Sequence, residues 1–150
     1  MKDILSEIIA NKRFEVDLQK QAISIEQLQE GISESPTPRS MKQALASSAS
    51  GIIAEFKRTL SFQSGYKKKR VRKRSFPPMQ RQVASALSIL TDEKFFGGSL
   101  KDIRAARPLV EIPILRKDFI IDEYQLYQAK NCRCRCRTSY RSRTGTGKVQ

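Results

Sequence analysis

The chain has no histidine, and only three cysteines among its 150 residues. Without histidine there is no Ser-His-Asp chemistry, no imidazole metal ligand and no histidine pH switch. Three cysteines do not make the disulfide framework of a small secreted domain. No run of about 18 apolar residues occurs, which excludes a hydrophobic membrane span within this sequence. Lys2 and Asp3 open the chain, and Ser6 and Glu7 interrupt its first apolar residues, so no secretory-signal pattern is visible. These absences lead to the expectation of a cytoplasmic protein without membrane contact.

The last absence is local. Residues 59–82 and 131–150 contain no Asp or Glu. The first stretch holds eight basic residues, Lys67, Lys68, Lys69, Arg70, Arg72, Lys73, Arg74 and Arg81, and the second holds six, Arg133, Arg135, Arg137, Arg141, Arg143 and Lys148. Together they account for the whole net charge of +14. The remainder is neutral, 39% of the whole chain is hydrophobic, and the length suits one domain. The sequence is therefore a mosaic, patterned in 1–58 and 83–130 and basic and unpatterned elsewhere. All three cysteines lie in the second basic stretch.

In the patterned parts, Ile4, Leu5, Ile8, Ile9, Phe14 and Leu18 recur at a helical period, so residues 1–20 read as an amphipathic helix. Residues 24–31 form a second helical candidate, capped by Ser24 and ended by Gly31. Pro36 and Pro38 mark a loop, and residues 41–46 suit a short helix. Residues 51–57, 84–90 and 111–115 are short β-prone runs, each followed by charges. Helices are expected over 100–106, with Pro108 beyond its end, and from a cap at Asp122 through Ala129. This alternation predicts an α/β fold with a parallel sheet. Each strand delivers polar groups at its C-terminal end: Glu55 and Lys57, then Asp92 and Glu93, then Lys117 and Asp118. That edge is where parallel α/β folds build their sites.

Four blocks carry a family resemblance: Ile52-Ile-Ala-Glu-Phe-Lys-Arg58, Ser85-Ala-Leu-Ser-Ile-Leu-Thr-Asp92, Phe95-Phe-Gly-Gly-Ser99 and Pro113-Ile-Leu-Arg-Lys-Asp-Phe-Ile120. In order and spacing they resemble indole-3-glycerol-phosphate synthase, across residues 1–58 and 83–130. The resemblance implies a (β/α)8 TIM barrel with an N-terminal helical extension over 1–50. It also implies no cofactor, and as substrate a small phosphorylated molecule, 1-(2-carboxyphenylamino)-1-deoxyribulose 5-phosphate. The family's enzymes close a pyrrole ring on that substrate with loss of CO2 and water. By motif match Lys117 would be the general acid, Lys57 would bind the substrate's anionic groups, and Glu55 would hold the lysines by charge pairing. Phe96 and Phe119 would line the aromatic-ring pocket. The family's general base and most of its phosphate-binding loops lie on later strands. The expectation for this chain is an incomplete barrel of about three parallel strands in residues 51–130, inactive alone.

The basic stretches read as frame-shifted coding sequence. Back-translation of residues 131–140, read one base on, permits Ile-Val-Gly-Ala-Asp-Ala-Val-Leu-Leu, a helix end leading into a barrel strand. Residues 59–66 permit Arg-Ser-Pro-Ser-Lys-Ala-Gly-Ile, which restores the loop that follows the family's first strand. Residues 69–83, read from the third base, permit another patterned segment. The change of frame falls near Lys67-Lys-Lys69, where an A-rich tract can slip. Both 59–82 and 131–150 are accordingly expected to be irregular. The competing reading is a non-catalytic, basic nucleic-acid-binding protein whose Lys/Arg cluster meets phosphate electrostatically. No recognisable nucleic-acid module or interleaved stacking platform accompanies the cluster, so specific nucleic-acid recognition is not expected. Cys132-Arg-Cys-Arg-Cys136 lacks the pairing and fourth ligand of structural zinc and reads as incidental thiols on a tail; no metal is expected. Gly145-Thr-Gly-Lys148 lacks the first glycine of a phosphate loop.

Overall fold

The alternation of β-prone runs and helices resolves into one parallel sheet with helices on one face. The structure, a computed structural model, describes residues 3–33, 37–57, 84–133 and 135–136. The expectation of irregular backbone over 59–82, 134 and 137–150 falls outside those residues. Helix α1 spans Ile4–Ala22, α2 Ile25–Ser33 and α3 Met41–Ala46; strand β1 spans Ile53–Phe56 and β2 Ala86–Leu90. Helix α4 is Leu100–Ala106 and runs into a 3-10 turn, Arg107–Leu109. Strand β3 is Ile114–Lys117, helix α5 Tyr124–Asn131 and β4 the two residues Arg135–Cys136.

The sheet order is β1-β2-β3-β4, every neighbour parallel. Three of these strands are the expected ones. The fourth lies in the stretch that the sequence reading assigned to an irregular tail. Strand β3 also differs from the expected 111–115. Pro113 has no N–H to give a ladder, so pairing starts at Ile114 and runs through Lys117, placing Arg116 and Lys117 on opposite faces of the strand.

Local chemistry explains the helix ends. Asp3 accepts from Leu5 N at 3.2 Å, Ser40 caps α3 through Gln43 N, and Ser99 caps α4 through Lys101 N. Ser24 and Gln27 form a reciprocal capping box: Ser24 Oγ accepts from Gln27 N at 3.3 Å, and Gln27 Oε1 accepts from Ser24 N at 2.8 Å. Asp122 Oδ1 accepts from Tyr124 N at 2.9 Å at the start of α5. Gly31 does not end α2. It is a packing residue, because a Cβ there would sit 2.6 Å from Asn131 Oδ1, whose Nδ2 donates to the Leu28 carbonyl at 2.7 Å.

The main core lies between the sheet and the helices after β2 and β3. Phe56, Leu87, Ile89 and Ile114 from the strands meet Ile103 and Ala106 of α4 and Ala129 of α5. Each fully buried aliphatic side chain contributes about 1.5–3 kcal/mol. Cys132, read from sequence as an incidental tail thiol, is buried in this core at the end of α5. A second cluster, Val16, Leu28 and Tyr124, joins α1 and α2 to α5. The Tyr124 hydroxyl lies 2.8 Å from the carbonyls of both Gln19 and Ile23 at the C-terminal end of α1. The buried stripe of α1 is Ile8, Lys12 and Val16, whereas Phe14 and Leu18, expected on the apolar face, are exposed. The helix rolls because Lys12 finds buried carboxylates.

Candidate active site

Strand alternation sorts the side chains. Ala54 and Phe56, Leu87 and Ile89, and Ile114 all belong to the helix-side core. Glu55, Ser88 and Leu115 are in register with one another, and Leu90 with Lys117, so these residues share the opposite face. Glu55 and Lys117 thus share one face at the C-terminal rim of the sheet, and Lys57 follows directly after β1 at that rim.

Lys117 Nζ donates to Glu55 Oε2 at 2.5 Å across the intervening strand β2. Both side chains are about 40% exposed (42% and 39%), so the pair contributes at most about 1 kcal/mol to stability. Its significance is geometric. It fixes the ammonium of β3 over the rim and ties the two outer strands of the β1–β3 trio.

Two loops bring up the aromatic residues. After β2 the chain turns through Asp92, whose Oδ1 accepts from Phe95 N at 2.9 Å, and then through Gly97 at φ +65°. A Cβ on Gly98 would lie 2.2 Å from the Leu90 carbonyl oxygen, so only glycine lets the loop fold back onto the strand end. After β3 the loop is held by fully buried Gln125. Its Nε2 donates to the Phe119 carbonyl at 3.0 Å and its Oε1 accepts from Ile121 N at 2.8 Å. The result sets the Phe96 and Phe119 rings 6.2 Å apart at 32°, within the range of favourable aromatic pairs.

Asp92 and Asp118, which also follow strands, do not join this face. They turn toward α1 into an ionic cluster that the sequence reading missed. Lys12, 4% exposed at its side chain, lies 2.7 Å from Glu15, 2.9 Å from Asp92 and 3.1 Å from Asp118. Asp118 also accepts from Arg116 Nη2 at 2.9 Å and from Thr91 Oγ1 at 2.7 Å. Arg116 further donates to the Gln125 carbonyl and to Gln128 Oε1. Burial opposes the Lys12 charge, but Asp118, Glu15 and Asp92 hold its pKa above the ordinary lysine value. Burial likewise opposes ionisation of Asp118, yet Arg116 and Lys12 keep its carboxyl below the usual carboxylate range. A polar cavity of about 100 Å³ adjoins the cluster, lined by Lys12, Glu15, Gln19, Thr91, Arg116 and Asp118 among others. The one sequence signal was a lysine centred on the apolar stripe of α1, four residues from both Ile8 and Val16. Among the described residues no helix is long and apolar enough to cross a membrane, and no group of three or more His, Cys, Asp or Glu side chains is placed to hold a metal ion.

A parallel sheet with helices packed on one face and charged side chains raised at its C-terminal rim on the other is part of a (β/α)8 barrel, here an incomplete one. The family model for indole-3-glycerol phosphate synthase matches residues 5–136, and the chain belongs to that family. It is 76% identical over 131 residues to the indole-3-glycerol phosphate synthase of Bacteroides thetaiotaomicron, an alignment covering 87% of this chain and 50% of the relative. The synthase of Neisseria meningitidis serogroup B is 38% identical over 135 residues, covering 87% and 52%, and that of Syntrophobacter fumaroxidans 39% identical over 133 residues, covering 86% and 50%. The chain spans about half the length of the curated relatives it matches.

Proposed function

We propose that the rim of β1–β3 is the proton-donating half of an indole-3-glycerol-phosphate synthase site of tryptophan biosynthesis. The substrate is 1-(2-carboxyphenylamino)-1-deoxyribulose 5-phosphate, and the products are indole-3-glycerol phosphate, CO2 and water. Ring closure joins an aromatic carbon to the substrate's ketone carbon. The ketone oxygen must take a proton as it becomes a hydroxyl, and then leave as water. Lys117 is the general acid for that step, and an ammonium on a fixed strand end suits the role. Glu55 holds it in place, Lys57 binds the substrate's anionic groups, and Phe96 and Phe119 flank the anthranilate ring. The observation that carries this reading is the Lys117–Glu55 contact on the face that the family motif assigns to the site. The site needs no cofactor, and a cytoplasmic setting fits a soluble phosphorylated substrate.

Residues 1–50 then form the helical extension and 51–130 the first βα units, interrupted by the aberrant segment 59–82 and followed by an aberrant tail over 131–150. The two basic stretches are out-of-frame readings of family sequence, and their phosphate affinity is incidental. The test compares two proteins in a synthase assay free of host enzyme. The 150-residue chain is expected to give no indoleglycerol phosphate. A restored protein carries both stretches in the inferred frames and its downstream half from the Bacteroides relative, and it is expected to turn over. Turnover by the 150-residue chain, or a dead restored protein with a cooperative melt, would overturn the reading.

A further inference from the structure

The loops that carry Phe96 and Phe119 follow different strands, and each is fixed at its root by an aspartate. Asp92 Oδ1 accepts from Phe95 N at 2.9 Å, and the Asp92 carbonyl accepts from Gly98 N at 2.7 Å, so one residue brackets Phe96. Asp118 Oδ1 accepts from Phe119 N at 2.9 Å. Both carboxylates then turn to the same ammonium. Lys12 Nζ lies 2.9 Å from Asp92 Oδ2 and 3.1 Å from Asp118 Oδ1, the oxygen that holds Phe119 N.

The two aspartates depend on Lys12 unequally. Asp118 Oδ2 is also held by Arg116 and Thr91. Asp92 Oδ2 accepts no hydrogen bond among the described residues, and the charge that faces it is the Lys12 ammonium. A carboxylate whose side chain is 1% exposed needs such a counter-charge. Anchoring α1 does not by itself call for a cation, because well-packed apolar residues can replace a buried ionic network without loss of stability. A cation does what an apolar residue cannot: it binds both carboxylates at once.

We propose that Lys12 is a positioning residue of the aromatic-ring pocket, locking the Asp92 and Asp118 loops to each other from α1 and so setting the spacing of Phe96 and Phe119. This rests on the reading that these two rings flank the ring of the substrate. Lys12 does not touch the substrate. It acts through the two aspartates and the backbone amides they hold, which gives the N-terminal helix a part in substrate binding.

Two experiments test this. In the 150-residue chain, amide hydrogen exchange is followed by NMR, with each rate divided by that of Leu87, whose N–H donates to the Pro113 carbonyl. Lys12→Met is expected to speed exchange at Phe95 about tenfold and at Phe119 by a smaller factor, since Asp118 keeps Arg116. Asp92→Asn leaves Lys12 two of its three carboxylates; it should speed Phe95 several-fold and leave Phe119 unchanged, and it decides the matter if Lys12→Met does not fold. A lysine that only anchors α1 would leave both ratios unchanged in both variants, which would overturn the assignment. In the restored full-length protein, Lys12→Met is expected to raise KM about tenfold with kcat kept within about threefold, the pattern of lost uniform binding. Inhibition by anthranilate should weaken by the same factor, and inhibition by inorganic phosphate should not change. Tyr124→Phe, which loosens α1 at its other contact, should leave KM as it was. KM and anthranilate inhibition unmoved in Lys12→Met, beside a raised KM in Phe96→Ala, would overturn the Lys12 assignment and leave the reading of the pocket intact. A KM unmoved by both Phe96→Ala and Phe119→Ala would instead strike the reading on which the assignment rests.

Discussion

Replacing Lys12 by methionine removes the cation that pairs with two almost fully buried carboxylates, Asp92 and Asp118, and with partly buried Glu15. The side chains are similar in length, so packing along α1 is nearly kept and the change is electrostatic. At about 3 Å and an effective dielectric of about 20, each contact is worth roughly 5 kcal/mol of gross Coulomb energy, and desolvation of the ammonium offsets much of it. The variant leaves Arg116 paired with Asp118, while Asp92 loses its ion pair with Lys12. Breaking a buried pair by removing one member costs about 3–5 kcal/mol, a large part of the roughly 5–15 kcal/mol that holds a domain. Urea unfolding followed by circular dichroism should show the midpoint falling by about 2 M. A Lys12→Met, Asp118→Asn double variant should lose less than the sum of the single changes, because the groups share one network. A Lys12→Met cost below about 1 kcal/mol would refute the claim that this cluster anchors α1 to the strand ends.

The same cluster sets the pH range of stability. Asp118 titrates lower in the fold than when unfolded, so its contribution is present above about pH 4 and is lost as the pH falls through its depressed value. Lys12 titrates higher than when unfolded, so its contribution is complete below about pH 10 and is lost as the pH rises through its raised value. Urea midpoints from pH 2 to 11 should show a broad plateau, and Lys12→Met should flatten the alkaline limb. Gly98→Ala drives a Cβ onto the backbone oxygen of Leu90, which cannot move aside as a side chain would. It should cost about 1–3 kcal/mol and displace Phe96 from Phe119, visible as changed near-ultraviolet dichroism. Tyr124→Phe removes the hydroxyl that joins α5 to the end of α1 and should cost about 1 kcal/mol in the same urea assay.

The three main strands, both short N-terminal helices and the charged residues at the strand ends were legible because each has a local signal. Ser24 sits where a cap belongs, and Glu55, Lys57 and Lys117 follow short β-prone runs. What was not legible depends on partners distant in sequence. Lys12 lies 80 residues from Asp92, and its place between Ile8 and Val16 on α1 does not announce which carboxylates it meets. Phe14 and Leu18 fitted the period yet lie outside, since the contacts of Lys12 and of Tyr124 decide how α1 rolls. Asp92 and Asp118 occupy rim positions in the sequence, but backbone turns at Phe95 and Phe119 aim their carboxylates at α1. Gly31 reads as a helix stop until Asn131 is seen against it. Composition places Cys132 in the basic tail, and only the end of α5 carries it into the core.

The central claim is that Lys117 gives the proton that turns the substrate's ketone oxygen into a leaving group. The most direct measurement is the single-turnover rate of ring closure in the restored full-length protein, with Lys117→Ala compared against its parent at saturating substrate. The account predicts a loss of about 10²–10⁴-fold with substrate still bound, the usual range for removing a positioned general acid. A Lys117→Ala protein that closes the ring at the parent rate would contradict it, whatever family the chain belongs to.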